Sequence, residues 1–433
     1  MAPLSNPRVK LNLRVLPFVV ALLVITELLW AERAWMILLV ALASIWLLDF
    51  LWARALKRGL AFQRELRYDW AHVGDELEER FTLTNSAWAP ALWVEILDHS
   101  NLPDYGASVA TGVESHAETA WRLRHICTRR GIFNIGPTTL RTGTPFNLYT
   151  LTFELDARSA LMVMPSILSL PGIEVAPGGR AHEGKRRASS LERTVNASGL
   201  REYVPGDSFK TIHWRTVAHH DELFVRTFDS TPAGDWWIWL DLDENVQAGS
   251  GEDSTVEHAV LLAASFAARG LGDGRAVGLG VNARAPLWLA PRAGEAQRLE
   301  ILRALATVEA GTSSLAALLK PGHPALYRNQ SVIVITPAVE GAWLDAVLPL
   351  LSSGATPTIL LLDRATYGGT GNADRVLALL TEWNIAHELI TRDVIELSRA
   401  PAPRQGHWEW TVGATGRAIA RSTPREQEWR TLL

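Results

Sequence analysis

The chain has 433 residues, a length that argues for two or three domains rather than one. Its 42 Lys and Arg residues against 46 Asp and Glu residues give a net charge of −4. A dedicated nucleic-acid-binding protein has a surplus of basic residues, so this class of protein is excluded. The single cysteine, Cys127, excludes an internal disulfide and a multi-cysteine zinc site, and we expect its side chain to lie in a core.

Two apolar runs near the N-terminus, residues 15–31 and 34–53, are 17 and 20 residues long. About 20 residues of helix cross a bilayer core, so the runs predict a hairpin of two membrane-spanning helices. The ionisable residues within them, Glu27 and Asp49, each lie four residues from the end of a run, and we expect them to reach the interface. The tryptophans near the run ends are typical of an interfacial belt: Trp30, Trp35, Trp46 and Trp52.

The charges on either side of the runs predict the orientation of the hairpin. Residues 1–14 carry three basic residues and no acidic one, and residues 54–67 carry five basic residues against one Glu. Basic flanks stay in the cytoplasm, so we expect a two-pass protein of the cell membrane with cytoplasmic N- and C-termini. A cleaved signal peptide is the alternative, but Ala-Glu-Arg-Ala at 31–34 is a poor cleavage site and a second apolar run follows at once.

The next part of the chain, residues 59–170, has the pattern of β-strands. Segments 78–85 and 119–126 alternate in polarity, and 92–98 is a run between turn residues. Strands of this length predict a β-sandwich-like domain that serves as a spacer or a binding module. Residues 171–198, rich in Gly, Ser and charge, predict a flexible loop.

A cluster of aromatic and charged residues fills the segment 199–230. Val-Pro-Gly-Asp at 204–207 predicts a turn, followed by a short helix that ends near Trp214. The order Gly-x-Arg-x-Tyr-x-x-Gly-Asp, then Ile-x-Trp and a later Ala, resembles the signature of the domain of unknown function 58 family. The matching positions are Gly199, Arg201, Tyr203, Gly206, Asp207, Ile212, Trp214 and Ala218.

The resemblance extends beyond the signature and has two departures within it. Lys210 stands where members of the family usually have Arg, and His219 stands where a basic residue, often Arg, follows the Ala. Upstream, Arg130-Gly131 also matches the family, and the segment 143–148 resembles the family's Asp-Pro-Phe-Gly-Leu without its Asp.

Two roles are open for the residues that define this motif, which are Arg201, Tyr203, Gly206, Asp207 and Trp214. An Arg–Asp pair with backbone hydrogen bonds around a turn can fix how two domains meet. The same side chains can instead contact a partner or a ligand. No Ser or Cys nucleophile pairs with His213 or His219 in the pattern, so the motif does not predict catalysis.

Strand and helix patterns alternate through the last region, residues 231–433. The first strand, Trp236–Leu240, runs into Asp241, and further strands are expected at 276–281, 331–336, 358–363 and 387–390. This alternation predicts a doubly wound, mostly parallel sheet. Helices are expected between these strands at 255–269, 294–308, 313–319, 342–351 and 373–383.

The region is similar to a von Willebrand factor A domain, a fold that can carry a metal-ion-dependent adhesion site. That resemblance implies a first element at Asp241, Asp243 and Asn245 and a second at Thr312, whereas Thr336 stands where the third element would have Asp. Oxygen ligands of this kind suit Mg²⁺. The sequence thus leaves open a degenerate magnesium site and a metal-free scaffold, and no other cofactor is expected.

The fold class expected is multidomain: a transmembrane helical hairpin within 1–58, a β-sandwich-like domain, and a von Willebrand factor A-like α/β domain. No catalytic constellation is present, so we expect a membrane-anchored cytoplasmic interaction or scaffold protein and not an enzyme. The family resemblance implies a partner AAA+ ATPase of the MoxR type in complex assembly or chaperone-like work. The chain itself lacks Gly-x-x-x-x-Gly-Lys-Ser/Thr. The alternative is a membrane-bound metal-dependent hydrolase that uses the Asp241 loop.

Overall fold

The computed structural model describes eleven stretches of the chain, and its residues divide into two units. One unit comprises residues 1–168, 302–308 and 397–433, and the other comprises residues 169–301 and 309–396. The described stretches are 7–29, 32–170, 172–176, 197–202, 223–228, 235–319, 330–340, 343–398, 409–412, 418–422 and 430–431.

Two apolar helices open the first unit, α1 (Leu16–Leu29) and α2 (Arg33–Gly59). By length and composition, α2 can cross a membrane, whereas α1 has only 14 residues. The predicted end of the second helix near residue 53 is wrong. The apolar run stops there, but the helix continues to Gly59 because Ala, Leu, Arg and Lys are all strong helix formers.

Antiparallel strands form most of the first unit, in agreement with the strand patterns of its sequence. The strands are β1 (Arg8–Leu11), β2 (Leu60–Leu66), β3 (Trp70–His72), β4 (Glu76–Asn85), β5 (Ala91–Asp98), β6 (Val109–Val113), β7 (Ala117–Ile126), β8 (Gly131–Ile135), β9 (Thr138–Gly143), β10 (Tyr149–Leu155), β11 (Ser159–Met164) and β22 (Arg430–Thr431). They form three sheets, in the orders β1-β10-β9-β5-β6, β22-β2-β4-β7 and β3-β11-β8.

The sheets share one apolar core. Along β2 every second residue is buried, as expected for a strand with one face on the core. Phe81 of β4 and Phe153 of β10, from different sheets, belong to the same cluster of buried side chains. Cys127 also lies in this cluster and is fully buried, so its prediction as a core residue is confirmed.

Strand β1 was not expected from the sequence, where its residues read only as a basic flank. It pairs antiparallel with β10, from Arg8 opposite Thr152 to Leu11 opposite Tyr149. Strand β2 begins directly after α2. We call these three sheets with their shared core the β-domain. Residues before α1 and residues after α2 therefore both belong to the β-domain.

A six-stranded sheet forms the centre of the second unit. Its strands are β14 (Trp236–Leu240), β15 (Val277–Val281), β16 (Leu287–Arg292), β17 (Ser331–Thr336), β18 (Thr356–Leu362) and β19 (Ala386–Ile390). Their order is β16-β15-β14-β17-β18-β19, and all neighbouring strands are parallel except the edge pair β15–β16. The helices are α3 (Thr255–Gly272), α4 (Glu295–Thr307), α5 (Leu315–Leu318), α6 (Leu344–Ser352), α7 (Asp374–Glu382) and α8 (Arg392–Ser398).

The strand order identifies the place where a ligand crevice is expected. Counted from the first strand of the sheet, the order is 3-2-1-4-5-6, the doubly wound arrangement. Along the chain, the strands are added on one side of β14 up to β16 and on its other side from β17 onward. The point in the sheet where this direction reverses lies between the neighbouring strands β14 and β17. Sheets of this kind bind ligands beyond the carboxyl ends of the strands at such a switch point.

Bulky side chains of β14 and β16 pack together above small residues of β15. The rings of Trp237 and Trp288 have centroids 4.6 Å apart. A Cβ atom on Gly278 would lie 2.9 Å from the Trp237 ring, and one on Gly280 would lie 2.7 Å from the Trp288 ring. Glycine at these two positions is therefore needed for close packing of the indoles.

Two further strand pairs lie outside these sheets. Strands β12 (Ala197–Glu202) and β13 (Phe224–Phe228) pair antiparallel, as do β20 (Glu409–Val412) and β21 (Ala418–Ser422). Most of the predicted loop at 171–198 and all of the predicted helix before Trp214 lie outside the described residues.

Candidate functional site

Polar side chains from three neighbouring strands meet at the carboxyl edge of the six-stranded sheet. Asp241 directly follows β14, Asn282 directly follows β15, and Thr336 is the last residue of β17. All three are buried, and Asp241 is completely so. They therefore lie at the switch point between β14 and β17.

The Asp241 carboxylate is surrounded by hydrogen-bond donors of the protein. Its Oδ1 accepts from Asn282 Nδ2 at 2.7 Å and from the Asp243 backbone amide at 3.2 Å. Its Oδ2 accepts from the Thr336 hydroxyl at 2.6 Å. Both oxygens are thus used in holding three adjacent strand ends together.

Burial has an electrostatic consequence for this carboxyl group. Loss of hydration raises the pKa of Asp241 above its usual range. The hydrogen bonds from Thr336 and Asn282 stabilise the ionised form and oppose that rise. The group is therefore easier to protonate in the folded protein than in the unfolded chain.

The loop after β14 is joined to the loop that contains Gly311. The Leu242 carbonyl accepts from the Gly311 amide at 3.0 Å, and the Gly311 carbonyl accepts from the Glu244 amide at 2.8 Å. A Cβ atom on Gly311 would lie 2.5 Å from the backbone nitrogen of Arg284, so only glycine fits. Asn282 joins the same assembly, because its Nδ2 also donates to the Ser313 carbonyl at 2.8 Å.

The residues predicted to bind Mg²⁺ are close in sequence but are engaged with the protein. Asp243 Oδ1 accepts from the backbone amide of Asn245 at 3.1 Å and from its side-chain amide at 2.8 Å. Thr312 is exposed, and both oxygens of Asp241 face N–H or O–H donors. Within the described ranges no group of three or more His, Cys, Asp and Glu residues could hold a metal ion. This arrangement does not suit Mg²⁺, and the magnesium site stays a prediction.

Two partners of Asp241 were missed or misread in the sequence. Asn282 follows a strand in the same way as Asp241, but a single Asn after a short apolar run carries no recognisable spacing. Thr336 was interpreted as a lost metal ligand, whereas its hydroxyl donates to Asp241 and accepts from the Ala338 amide at 3.0 Å. Position at a strand end is the signal that connects all three residues.

A second polar site joins α2 to the β-domain. Asp49 of α2 is fully buried, and its carboxylate accepts from the Thr144 hydroxyl at 2.5 Å, the Phe146 amide at 3.3 Å and the Leu148 amide at 3.1 Å. The expectation that Asp49 lies near a helix end is therefore wrong, whereas its position at the membrane interface stays a prediction. The helix runs ten residues further, and the loop after β9 covers the carboxylate.

A third polar cluster lies in the core of the β-domain around Arg64. Its guanidinium donates to Glu79 at 2.9 Å, to Asp98 at 2.6 Å and to the Tyr105 hydroxyl at 3.0 Å. Arg64 and Glu79 come from the sheet that contains β2 and β4, whereas Asp98 ends β5 of the other sheet. Burial raises the pKa of Glu79, and the nearby Arg64 opposes this rise. The cluster fixes one sheet against the other.

The residues that define the signature are described only in part. Arg201 lies in β12 opposite Val225, and Gly199 lies beside an irregularity in the pairing of β12 with β13. Tyr203, Gly206, Asp207 and Trp214 lie outside the described residues. Their two possible roles, domain positioning and partner contact, remain predictions.

A known family matches the part of the chain that contains the signature and the polar network at the switch point. Residues 199–356 match the family model described as Protein of unknown function DUF58. The DUF58 match starts at the first glycine of the signature and includes Asp241, Asn282 and Thr336. The resemblance drawn from the signature is thereby supported over that range.

Solved structures give only slight resemblances. The CARDB domain of a Pyrococcus furiosus protein in complex with di-metal ions is 11% identical over 25% of this chain and 96% of its own, with a TM-score of 0.19. A β-glucosidase from Listeria innocua in complex with glucose is 9% identical over 24% of this chain and 16% of its own, with a TM-score of 0.17. At such TM-scores neither resemblance bears on fold or function. No curated protein matches this sequence.

Proposed function

We propose that this protein is anchored in the membrane by a two-helix hairpin and that its folded domains, on the cytoplasmic side, bind other proteins. The main support for this proposal is that the chain segments on either side of the helix pair both belong to the β-domain. Strand β1 precedes α1 and strand β2 follows α2. A chain that crosses the membrane out and back returns to the side from which it started, so both strands would be available to one domain.

The charges beside the helices support the cytoplasmic side for that domain. Lys10 and Arg14 before α1 and Arg54, Lys57 and Arg58 at the end of α2 are all exposed. Lys and Arg near helix ends favour the cytoplasmic face of a membrane. The turn at Glu32, between the helices, would then face outward.

The α/β unit would supply a protein-binding surface at its switch point. Its strand order supports the resemblance to a von Willebrand factor A domain. The buried Asp241 network is used to hold the loops, while Glu244, Asn245 and Thr312 are exposed on the same edge of the sheet. A prearranged, exposed loop edge suits recognition of another protein. The partner implied by the family resemblance is an AAA+ ATPase of the MoxR type.

Crosslinking mass spectrometry on native membranes tests this proposal. We expect crosslinks between residues 199–312 and an AAA+ ATPase in the unaltered protein, and their loss in the variants Asp207→Ala and Trp214→Ala. Arg158→Ala is the matched control, because Arg158 lies on an exposed turn of the β-domain. Crosslinks that survive both signature changes would contradict a partner-binding role for the signature, and purified protein that turns over a substrate unaided would contradict the non-enzymatic proposal.

A further inference from the structure

Large apolar side chains are exposed on the β-domain close to α2. They belong to the loop before β5, to the start of β5 and to the loop after β9. We call them the apolar rim: Trp88, Leu92, Trp93 and Phe146, exposed by 53%, 59%, 38% and 51%. Single exposed apolar residues are ordinary on protein surfaces, but a group of four beside an apolar helix needs an explanation.

Contacts with α2 fix the position of the rim. The rings of Trp88 and Trp52 have centroids 5.5 Å apart, and Trp52 Nε1 donates to the Pro90 carbonyl at 3.1 Å. The Phe146 amide donates to Asp49. Both rim loops therefore lie against residues 49–52 of the helix.

The local backbone turns the rim side chains outward. A bulge between Ala91 and Val94 interrupts the pairing of β5 with β6, and both Leu92 and Trp93 are exposed there. In a regular strand one of two consecutive side chains would point into the core. The Trp93 ring lies 2.8 Å from where a Cβ atom on Gly143 would be, so it also borders the end of β9.

The length of α2 indicates which layer of a membrane would lie beside the rim. From Arg33 to the residue before Trp46, the first one that donates to the β-domain, α2 has 13 residues, or about 20 Å at 1.5 Å per residue. The hydrocarbon core of a bilayer is about 30 Å thick, which takes about 20 residues. The apolar stretch of α2 reaches that length only if it continues to Trp52, beside the rim.

We propose that the apolar rim inserts into the interfacial layer of the cytoplasmic leaflet, so that the β-domain lies directly on the membrane. This inference depends on the proposed membrane anchor and adds a second contact with lipid. Tryptophan and phenylalanine suit this layer, where the bilayer changes from hydrocarbon to headgroups. Arg54, Lys57 and Arg58 are exposed two to six residues beyond Trp52 along α2, where they would meet anionic headgroups.

Spin labels on single introduced cysteines test the inference in the full-length protein. Cys127 is fully buried and its pKa is raised to about 11, so it should not react under native conditions. The variants are Trp88→Cys and Phe146→Cys in the rim, Val40→Cys on α2, and Ile126→Cys as the matched control. Ile126 is 58% exposed and pairs with Glu76, at the end of β4 away from α2.

The labelled proteins are reconstituted in vesicles of phosphatidylethanolamine and phosphatidylglycerol, and relaxation by oxygen is compared with relaxation by a polar nickel chelate. We expect the oxygen-to-chelate ratio at 88 and 146 to exceed that at 126 by roughly tenfold, because polar reagents are excluded from apolar surroundings. Equal ratios at 88, 146 and 126, with a high ratio at 40, would overturn the rim inference and leave the anchor standing. A low ratio at 40 as well would overturn the anchor. Labels at 88 and 146 shielded from both reagents would indicate a protein contact and would also overturn the inference.

Discussion

At the scale of single residues, Asp241 holds three strand ends through hydrogen bonds that an amide can largely replace. In Asp241→Asn, the side-chain oxygen can accept from Asn282, and the new NH₂ group can donate to the Thr336 hydroxyl. We expect this variant to fold with nearly unchanged stability, whereas Asp241→Ala should lose about 1–3 kcal/mol because it leaves buried donors unsatisfied. Thermal unfolding in detergent measures both. Stabilisation of the unaltered protein, but not of Asp241→Asn, by Mg²⁺ would show a working metal site.

The raised pKa of Asp241 also predicts a dependence on pH. Between the unfolded value, about 3.9, and the raised folded value, the folded protein holds a proton that the unfolded chain has lost. The contribution of this group to stability is therefore present at low pH and is lost as the pH rises through the folded pKa. Relative to Asp241→Asn, the unaltered protein should become less stable from pH 4 upward. A relative gain in that range would mean that the anion is stabilised by something beyond the hydrogen bonds described.

Substitution of Arg64 should also have a large effect on the stability of the protein. Removal of one member of a buried ion pair costs about 3–5 kcal/mol because it leaves a buried charge without compensation. We expect Arg64→Ala to lower the unfolding temperature strongly, and Arg64→Met combined with Glu79→Leu to recover part of the loss. Arg158→Ala, which breaks an exposed pair with Asp156, should have almost no effect. Equal effects of Arg64→Ala and Arg158→Ala would contradict the proposed fixing of the two sheets.

At the scale of elements, Asp49 joins α2 to the loop after β9. In Asp49→Leu the amides of Phe146 and Leu148 lose their acceptor, and the Thr144 hydroxyl keeps only the Tyr149 carbonyl. We expect faster amide exchange at Phe146 and Leu148, with unchanged exchange in β14 and β17 of the other unit. Asp49→Asn, which keeps one acceptor oxygen, should have an intermediate effect. Protection that persists at Phe146 and Leu148 in Asp49→Leu would show that the loop is held by other contacts.

The elements also show what sequence patterns can and cannot predict. Strands such as β4, β14 and β17 were predictable because alternation or continuous apolar character marks them locally. Strand β1 was missed because four residues with two charges carry no such pattern, and it forms through pairing with β10, far along the chain. The edge strand β16 was missed for a similar reason, since its mostly half-buried side chains and a proline weaken the pattern.

The same distinction between local patterns and contacts of distant segments applies to the candidate site. Asp241 was predictable as a site residue because it follows a buried strand at the edge where ligands bind. Its partners Asn282 and Thr336 come from strands 41 and 95 residues away, and only the strand order brings them together. The role of Asp49 was unpredictable in the same way, because its acceptor function depends on a loop 95 residues later.

At the scale of the whole molecule, the proposed topology is a hairpin that leaves both soluble flanks on the cytoplasmic side. The measurement that tests this most directly is labelling of intact cells with a membrane-impermeant maleimide, using Glu32→Cys between the helices and Arg158→Cys on the β-domain. Both positions are exposed, and the buried Cys127 should stay silent. We predict labelling of Glu32→Cys from outside the cell and of Arg158→Cys only after the membrane is opened. Labelling of Arg158→Cys in intact cells, or of neither position until the cells are lysed, would contradict the account.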